Sequence, residues 1–340
     1  MKRPIVAITG GTGFVGAQVV RRMAQQGYVT RGAYDSEGVH WHVDDIDCEW
    51  FDVEMRSESS LRRLVRGATA VVHCARHRPS RAHRIHRAKR RGVARLRRLV
   101  DACRAEGVAR LVYVSSPATL IDDGSDGPRD EQARYLPGSI SNAHVEAKAA
   151  MEAELYRYIS QGFDAVVVIP TFLFGPGDVE GRTSRLVRAV AGRVPMVVPG
   201  GPTINIVDVR DVADGIVSAM ESGRTGRRYI LGGTDVELVE LFEMIARELG
   251  AGEPGVVIHA EKLRSLAGAG ERLVDHLGLS ASASLVTPLE LVRHVGSVSS
   301  ERARGELDYR SRSATATIRE MVHWMGRVGY LSWNDPSLAG

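Results

Sequence analysis

Residues 4–26, PIVAITGGTGFVGAQVVRRMAQQ, decide the fold. A short apolar run, Ile5 to Ile8, leads through Thr9 into glycines at 10, 11, 13 and 16, and then into a helical pattern of apolar residues. A strand, a tight turn and a helix in that order make a phosphate cradle. Small residues let backbone N–H groups approach a pyrophosphate, and the helix N-terminus adds partial positive charge. Gly11, Gly13 and Gly16 also satisfy G-x-G-x-x-G, a pattern that is weak alone and specific when a strand precedes it and a helix follows. The stretch therefore predicts a dinucleotide site.

With 340 residues, the chain can build one large α/β domain or two smaller ones. No apolar stretch is long enough to span a bilayer, and the apolar start of MKRPIVAITG runs straight into the glycine turn, so it reads as a first strand. Cys48, Cys74 and Cys103 are scattered and form no C-x-x-C pair, which points to a reduced, cytoplasmic protein without a metal site. Net charge is +4, but the excess is local. From Leu61 to Val100 there is no Asp or Glu, while Arg and Lys crowd Arg76 to Arg98. Without interleaved aromatics or a nucleic-acid motif, this reads as a solvated helix face, with one or two basic residues near the cofactor phosphates. The expected partner is a small-molecule substrate, with no nucleic acid and no membrane.

Strands are predicted at Tyr28–Tyr34, Cys48–Phe51, Thr69–His73, Leu111–Val114, Ala165–Ile169 and Tyr229–Leu231, with helices at Ser57–Arg66, Arg84–Glu106 and Asn142–Gln161. This alternation predicts an α/β protein with a doubly wound parallel Rossmann sheet, whose ligands sit beyond the carboxyl ends of the strands. Val207 to Asp211 is predicted to open a helix, and the chain from about Val236 is read as several helices. Residues 121–141, rich in Asp, Gly, Ser and Pro, read as a loop placed to cover an active site. Asp35, about twenty positions past the glycines, points toward NAD; Arg31 and Arg56 are placed to favour NADP instead, so the choice between NAD(H) and NADP(H) stays open.

Six segments in order carry a family resemblance: TGGTGFVG at 9–16, AVVHCA at 70–75, LVYVSSPATL at 111–120, IPTFLFGPGD at 169–178, NIVDVRDVADG at 205–215 and RYILGG at 228–233. The chain resembles the extended short-chain dehydrogenase/reductases, in the branch of NDP-sugar epimerases and dihydroflavonol-reductase-like proteins. The resemblance implies an NAD(P)-binding Rossmann domain over 1–169, completed by about 205–234. It also implies a smaller, mostly helical substrate-binding domain from 170–204 and 235–330, leaving 331–340 as a tail. It further implies cofactor contacts from Gly10, Gly13, Phe14, Val15, Gly16, Asp35, Asp52, Val53, Cys74, Ala75, Lys148, Pro170 and Thr171.

The family acts through a Ser/Thr, a Tyr and a Lys, supported by an Asn. Ser116 matches the first, with Ser115 and Thr119 as neighbours, and Lys148 matches the last member of Tyr-x-x-x-Lys. The Tyr position holds His144, and the Asn position holds Lys89, three residues before Gly92-Val93. The spacing keeps residues 144 and 148 on one helix face, but the phenol is gone. Three accounts of the change stand side by side: His144 is the replacement acid, a phenol of the substrate stabilises the forming alkoxide, or the protein binds the cofactor without catalysis.

The catalytic candidates are accordingly Ser116, His144 and Lys148, and the substrate candidates Arg78, Ser116, Thr119, His144 and Phe172, with Arg76 and His77 beside Arg78. The sequence is similar to an atypical, Tyr-less branch of the family, which implies an NAD(P)H-dependent ketoreductase acting on a bulky aromatic polyketide in antibiotic biosynthesis. The alternatives are an NDP-sugar epimerase or dehydratase and a silent NAD(P)-binding regulator. The basic helix would repel its twin across a two-fold axis, so a monomer or an atypical dimer is expected.

Overall fold

The computed structural model describes residues 3–34, 40–75, 85–121, 127–179, 181–192, 196–198, 203–250, 257–259 and 295–331. Asp35, Arg76, His77, Arg78 and the tail from 332 lie outside the described residues. The chain runs β1 (Ile5–Thr9), α1 (Phe14–Gln25), β2 (Val29–Tyr34), β3 (Glu49–Asp52), α2 (Glu58–Val65), β4 (Ala70–His73), α3 (Ile85–Ala105), β5 (Arg110–Val114), α4 (Ala143–Ile159) and β6 (Ala165–Pro170). It continues with β7 (Phe172–Phe174), α5 (Arg182–Ala191), β8 (Met196–Val198), β9 (Thr203–Asp208), α6 (Val209–Ser222), β10 (Arg228–Leu231), β11 (Thr234–Glu237), α7 (Leu238–Glu248) and β12 (Val257–His259). Two helices follow, α8 (Glu301–Leu307) and α9 (Ala314–Arg327).

Seven strands form a parallel sheet in the order β10-β6-β5-β4-β1-β2-β3. Strand order reverses between β1 and β4, where Thr9 pairs with His73 at the carboxyl ends. Every residue of β6, AVVVIP, is buried, as expected of a strand covered on both faces. One covering layer joins Leu61, Leu64, Leu96, Leu99, Met151 and Leu155 from α2, α3 and α4. The opposite layer joins Val19, Val20, Met23, Val212, Ile216 and Leu307 from α1, α6 and α8. Gly92 lets α3 and α4 approach closely, since a Cβ there would lie 2.8 Å from Met151 Sδ. Across this helix pair Lys89 meets Glu146 at 2.8 Å, and Arg97 meets Glu154 at 2.8 Å, so part of the basic helix is neutralised internally.

Two expectations are corrected. Val207 and Asp208 close β9 instead of opening a helix; Asp208 is the N-cap, accepting from Arg210 N, and α6 starts at Val209. The helix start was read two residues too early, because Val207 and Asp208 still belong to the strand before it. From about Val236, where several helices were expected, Val236 and Glu237 still close β11 and β12 spans Val257–His259; β11, β9 and β7 form a second sheet beside α7, α5 and α9 over a third core that includes Phe174, Leu241, Phe242 and Met321. The described part of 121–141 is irregular, as expected, and is tied down along the sheet edge. Glu131 accepts from Ile230 N of the edge strand, Arg129 bridges Val298, and Arg228 donates to Glu131 O and Ala133 O.

Candidate active site

The glycine turn is shaped by contacts that leave no room for side chains. Gly10 has φ +68, and a Cβ there would lie 2.7 Å from Ala75 Cα at the end of β4. A Cβ on Gly16 would lie 2.0 Å from Gly10 O. Gly11 N donates to Ala33 O of β2, which closes the turn onto the sheet. Gly13 is the N-cap of α1 with no side-chain bond, and no acidic residue occupies the first turn. The leading N–H groups of Phe14 and Val15 thus stay open to an anion. Beneath the turn, Thr9 Oγ1 and His73 Nδ1 share a buried hydrogen bond of 2.6 Å. Burial, helped by Lys148 and Arg95, pushes His73 down to about 3, so this imidazole stays neutral.

Ser115 and Ser116 follow β5. Ser115 Oγ donates to Glu152 Oε2 at 2.7 Å. Ser116 Oγ accepts from Ala118 N at 3.3 Å, and among the described residues its O–H has no acceptor. On α4, Asn142 caps the helix by accepting from His144 N and Val145 N. His144 is half-buried one turn before Lys148, which is buried. Lys148 Nζ donates to Val114 O at 3.0 Å and lies 5.2 Å from the Tyr113 ring centroid. Burial pushes its ammonium down from 10.5 to about 8, while Glu152 and Cys74 act in the opposite direction.

One turn further, Glu152 is buried, with Oε1 2.8 Å from Arg228 Nε. Arg228, 2% exposed, donates to Thr119 Oγ1 at 2.9 Å. A closed polar chain, Ser115–Glu152–Arg228–Thr119, therefore runs beneath the two serines. Glu152, Arg228 and His73 were not singled out from the sequence. Glu152 had a signal, standing four residues after Lys148 on the same helix face; Arg228 had none, because its partners come from segments far apart in the chain.

The other expected residues gather at the same edge with different roles for their side chains. Cys74 and Ala75 follow β4 and touch the glycine turn; burial pushes the Cys74 thiol up to about 12. Asp52 ends β3 and is exposed, with Val53 half-buried beside it. Pro170 ends β6, and Thr171 is buried with its hydroxyl donating to Asn205 Oδ1. Thr119 is buried, its hydroxyl spent on Ser116 O and Arg228. Phe172 packs on the third core. Arg31 is committed to Glu49 at 2.8 Å and to Arg66 O. Lys89 reaches Glu146, which also accepts from Tyr135 Oη and Gly138 N, anchoring the segment before α4.

The reversed strand order, the sterically enforced glycine cradle and the buried lysine define a dinucleotide-dependent enzyme fold. The chain belongs to the NAD dependent epimerase/dehydratase family, whose model matches residues 6–232. It is 27% identical over 334 residues to a protein named "Putative dihydroflavonol 4-reductase" from Synechocystis, covering 95% of each chain. It is 26% identical to a 4-hydroxy-2-methyl-3-oxo-4-farnesyl-3,4-dihydroquinoline-1-oxide ketoreductase from Stigmatella aurantiaca, covering 90% of this chain and 91% of that one. The fold matches the crystal structure of a nucleoside-diphosphate-sugar epimerase from Pseudomonas aeruginosa with a TM-score of 0.78, at 22% identity, over 97% of this chain and 100% of that one. The protein is an NAD(P)-dependent oxidoreductase with NAD(H) or NADP(H) as cofactor, and the cradle around Gly10 and Gly16 fits that group. Among the described residues, no helix is long and apolar enough to cross a membrane.

Proposed function

We propose that the protein is a ketoreductase that works without the usual phenol, acting on a bulky fused-ring ketone of the aromatic polyketide type, in antibiotic biosynthesis. The atypical angucyclinone ketoreductase of simocyclinone biosynthesis is the type it resembles. The observation that carries the reading is the combination at one strand end: among the described residues Ser116 has an uncommitted O–H and Lys148 uses one of its three donors, beside a half-buried His144 where a Tyr is expected. The relative from Stigmatella, named for a fused-ring ketone carrying a farnesyl chain, supports a bulky ring ketone.

In this reading the backbone N–H groups at Phe14 and Val15, with Gly10, Gly13 and Gly16 clearing the space, hold the pyrophosphate, and Cys74 and Ala75 wall the turn. Asp52 and Val53 meet the adenine, Asp35 the ribose, and Pro170 and Thr171 the nicotinamide end through their backbone. The bound cofactor supplies hydride. Lys148 donates to the nicotinamide ribose with the hydrogens not used on Val114 O. Ser116 donates to the carbonyl oxygen of the substrate, and its contact with Ala118 N fixes the side-chain rotamer. Residues 170–204 and 235–330, with Phe172 near their start, form the substrate-facing part, and Arg78 is the further substrate candidate.

NADPH and NADH oxidation against a panel of aromatic polyketide ketones tests the reading, and tight cofactor binding without turnover of any ketone would overturn it. His144→Phe then decides the proton. A loss of about 10²-fold in kcat fits general acid catalysis by His144, whereas unchanged kcat assigns the proton to substrate or water.

A further inference from the structure

Lys148, the buried cation of the site, is 6% exposed, and the titratable groups that face it come from three elements. Glu152 stands one turn further along α4 and His144 one turn before; His73 ends β4 and Cys74 follows it; Tyr113 belongs to β5. Burial pushes His73 down to about 3 and the Cys74 thiol up to about 12, so both stay uncharged at neutral pH. The Glu152 carboxylate is engaged on both oxygens, with Oε1 2.8 Å from Arg228 Nε and Oε2 accepting from Ser115 Oγ. Among the described residues Lys148 Nζ donates one hydrogen bond, to Val114 O at 3.0 Å. It also lies over the face of the Tyr113 ring, 5.2 Å from the centroid. Consecutive residues of β5 thus meet the ammonium, one with a ring and one with a carbonyl.

Tyr113 is 0% exposed, and its hydroxyl has no hydrogen-bond partner among the described residues. The ring is therefore oriented by packing and not by its hydroxyl. The His73 imidazole stacks against it, with 5.7 Å between centroids and 24° between planes, and His73 is itself tied to Thr9 Oγ1 at 2.6 Å. Because that imidazole is neutral, it does not compete with Lys148 for the negative face of the ring. An aromatic face attracts an ammonium most strongly when both are out of water, and both are buried here. We propose that Tyr113 is a positioning residue of the active site: its ring face, beside the carbonyl of Val114, holds the Lys148 ammonium charged and fixes it at the carboxyl end of the sheet. With Lys148 read as the donor to the nicotinamide ribose, on which this assignment rests, Tyr113 sets the pH up to which the lysine serves the cofactor.

The test uses the full chain isotope-labelled at the lysine Cε. The sequence has four lysines, and the resonance missing from Lys148→Met is that of Lys148, so its titration is read directly by NMR. Tyr113→Phe keeps the ring face, whereas Tyr113→trifluorophenylalanine and Tyr113→pentafluorophenylalanine keep a ring of similar size and withdraw its negative face in two steps. The Lys148 titration should stay in place in Tyr113→Phe and should move to lower pH stepwise with fluorination, by about one unit in all. A ring that only fills space would leave it unmoved. The trifluoro variant, checked for an unchanged Tm, carries the comparison by itself where the pentafluoro ring does not pack. NAD+ affinity by calorimetry, followed over the same pH range, should begin its alkaline decline at correspondingly lower pH in the fluorinated variants. A Lys148 titration unmoved by fluorination, or displaced as far by Tyr113→Phe, overturns the proposal. A displaced titration with an unmoved decline in NAD+ affinity keeps Tyr113 as the residue that holds Lys148 and overturns the ribose reading instead.

Discussion

Lys148→Met should give a protein that is inactive and more stable. Lys148 is 6% exposed, and burial lowers its pKa from 10.5 to about 8. At about 1.4 kcal/mol per unit, the folded state disfavours the ammonium by about 3 kcal/mol at pH 7. The unfolded lysine holds its proton up to 10.5 and the folded one only up to about 8, so between those values the unfolded chain binds more protons. Stability contributed by this group therefore rises as pH rises through that window, and below about 8 the full penalty stands. Methionine fills a similar volume without a charge and recovers the penalty, less about 1 kcal/mol for the hydrogen bond to Val114 O. The net gain is about 2 kcal/mol, or about 3 °C in Tm for a chain of this size. Thermal unfolding of both proteins between pH 7 and pH 10 should show a gap that closes as pH rises, while the variant reduces no ketone at any pH. A variant less stable than wild type at pH 7, or a gap independent of pH, would refute the reasoning.

Two further outcomes follow from the same geometry. Gly16→Ala places a methyl 2.0 Å from Gly10 O and 3.0 Å from Gly11 Cα, where only backbone can yield, so NAD(P)+ affinity by calorimetry should fall about ten-fold or more; affinity within two-fold of wild type would mean the turn is not the cradle. Glu152→Gln removes the carboxylate that opposes the burial of Lys148 and that lies 2.8 Å from buried Arg228. The alkaline limb of the kcat/KM profile should move to lower pH, and stability should fall by about 3 kcal/mol; an unmoved limb would separate Glu152 from Lys148.

Much of the sheet was readable because parallel strands covered on both faces appear as short apolar runs, such as AVVVIP over Ala165–Pro170, each followed by a turn and an amphipathic helix. β7, β9 and β11 were not read, because three- to six-residue strands between capping signals carry too little periodicity to outvote a neighbouring helix. Asp, Gly and Pro mark the irregular backbone of 127–141, but they do not say that Glu131 will be drawn down onto the N–H of an edge strand.

By itself the sequence determined the glycine turn, its place between β1 and α1, and the face shared by residues 144 and 148, all set by contacts within about one or two turns of chain. Only the tertiary structure decided which charges are satisfied. Glu152 lies beside Arg228 from seventy-six residues away, and Arg97 finds Glu154 on the next helix. Charge partners are chosen in space, where burial sets the strength of each interaction, and a linear pattern of arginines does not reveal which of them will be left without an anion.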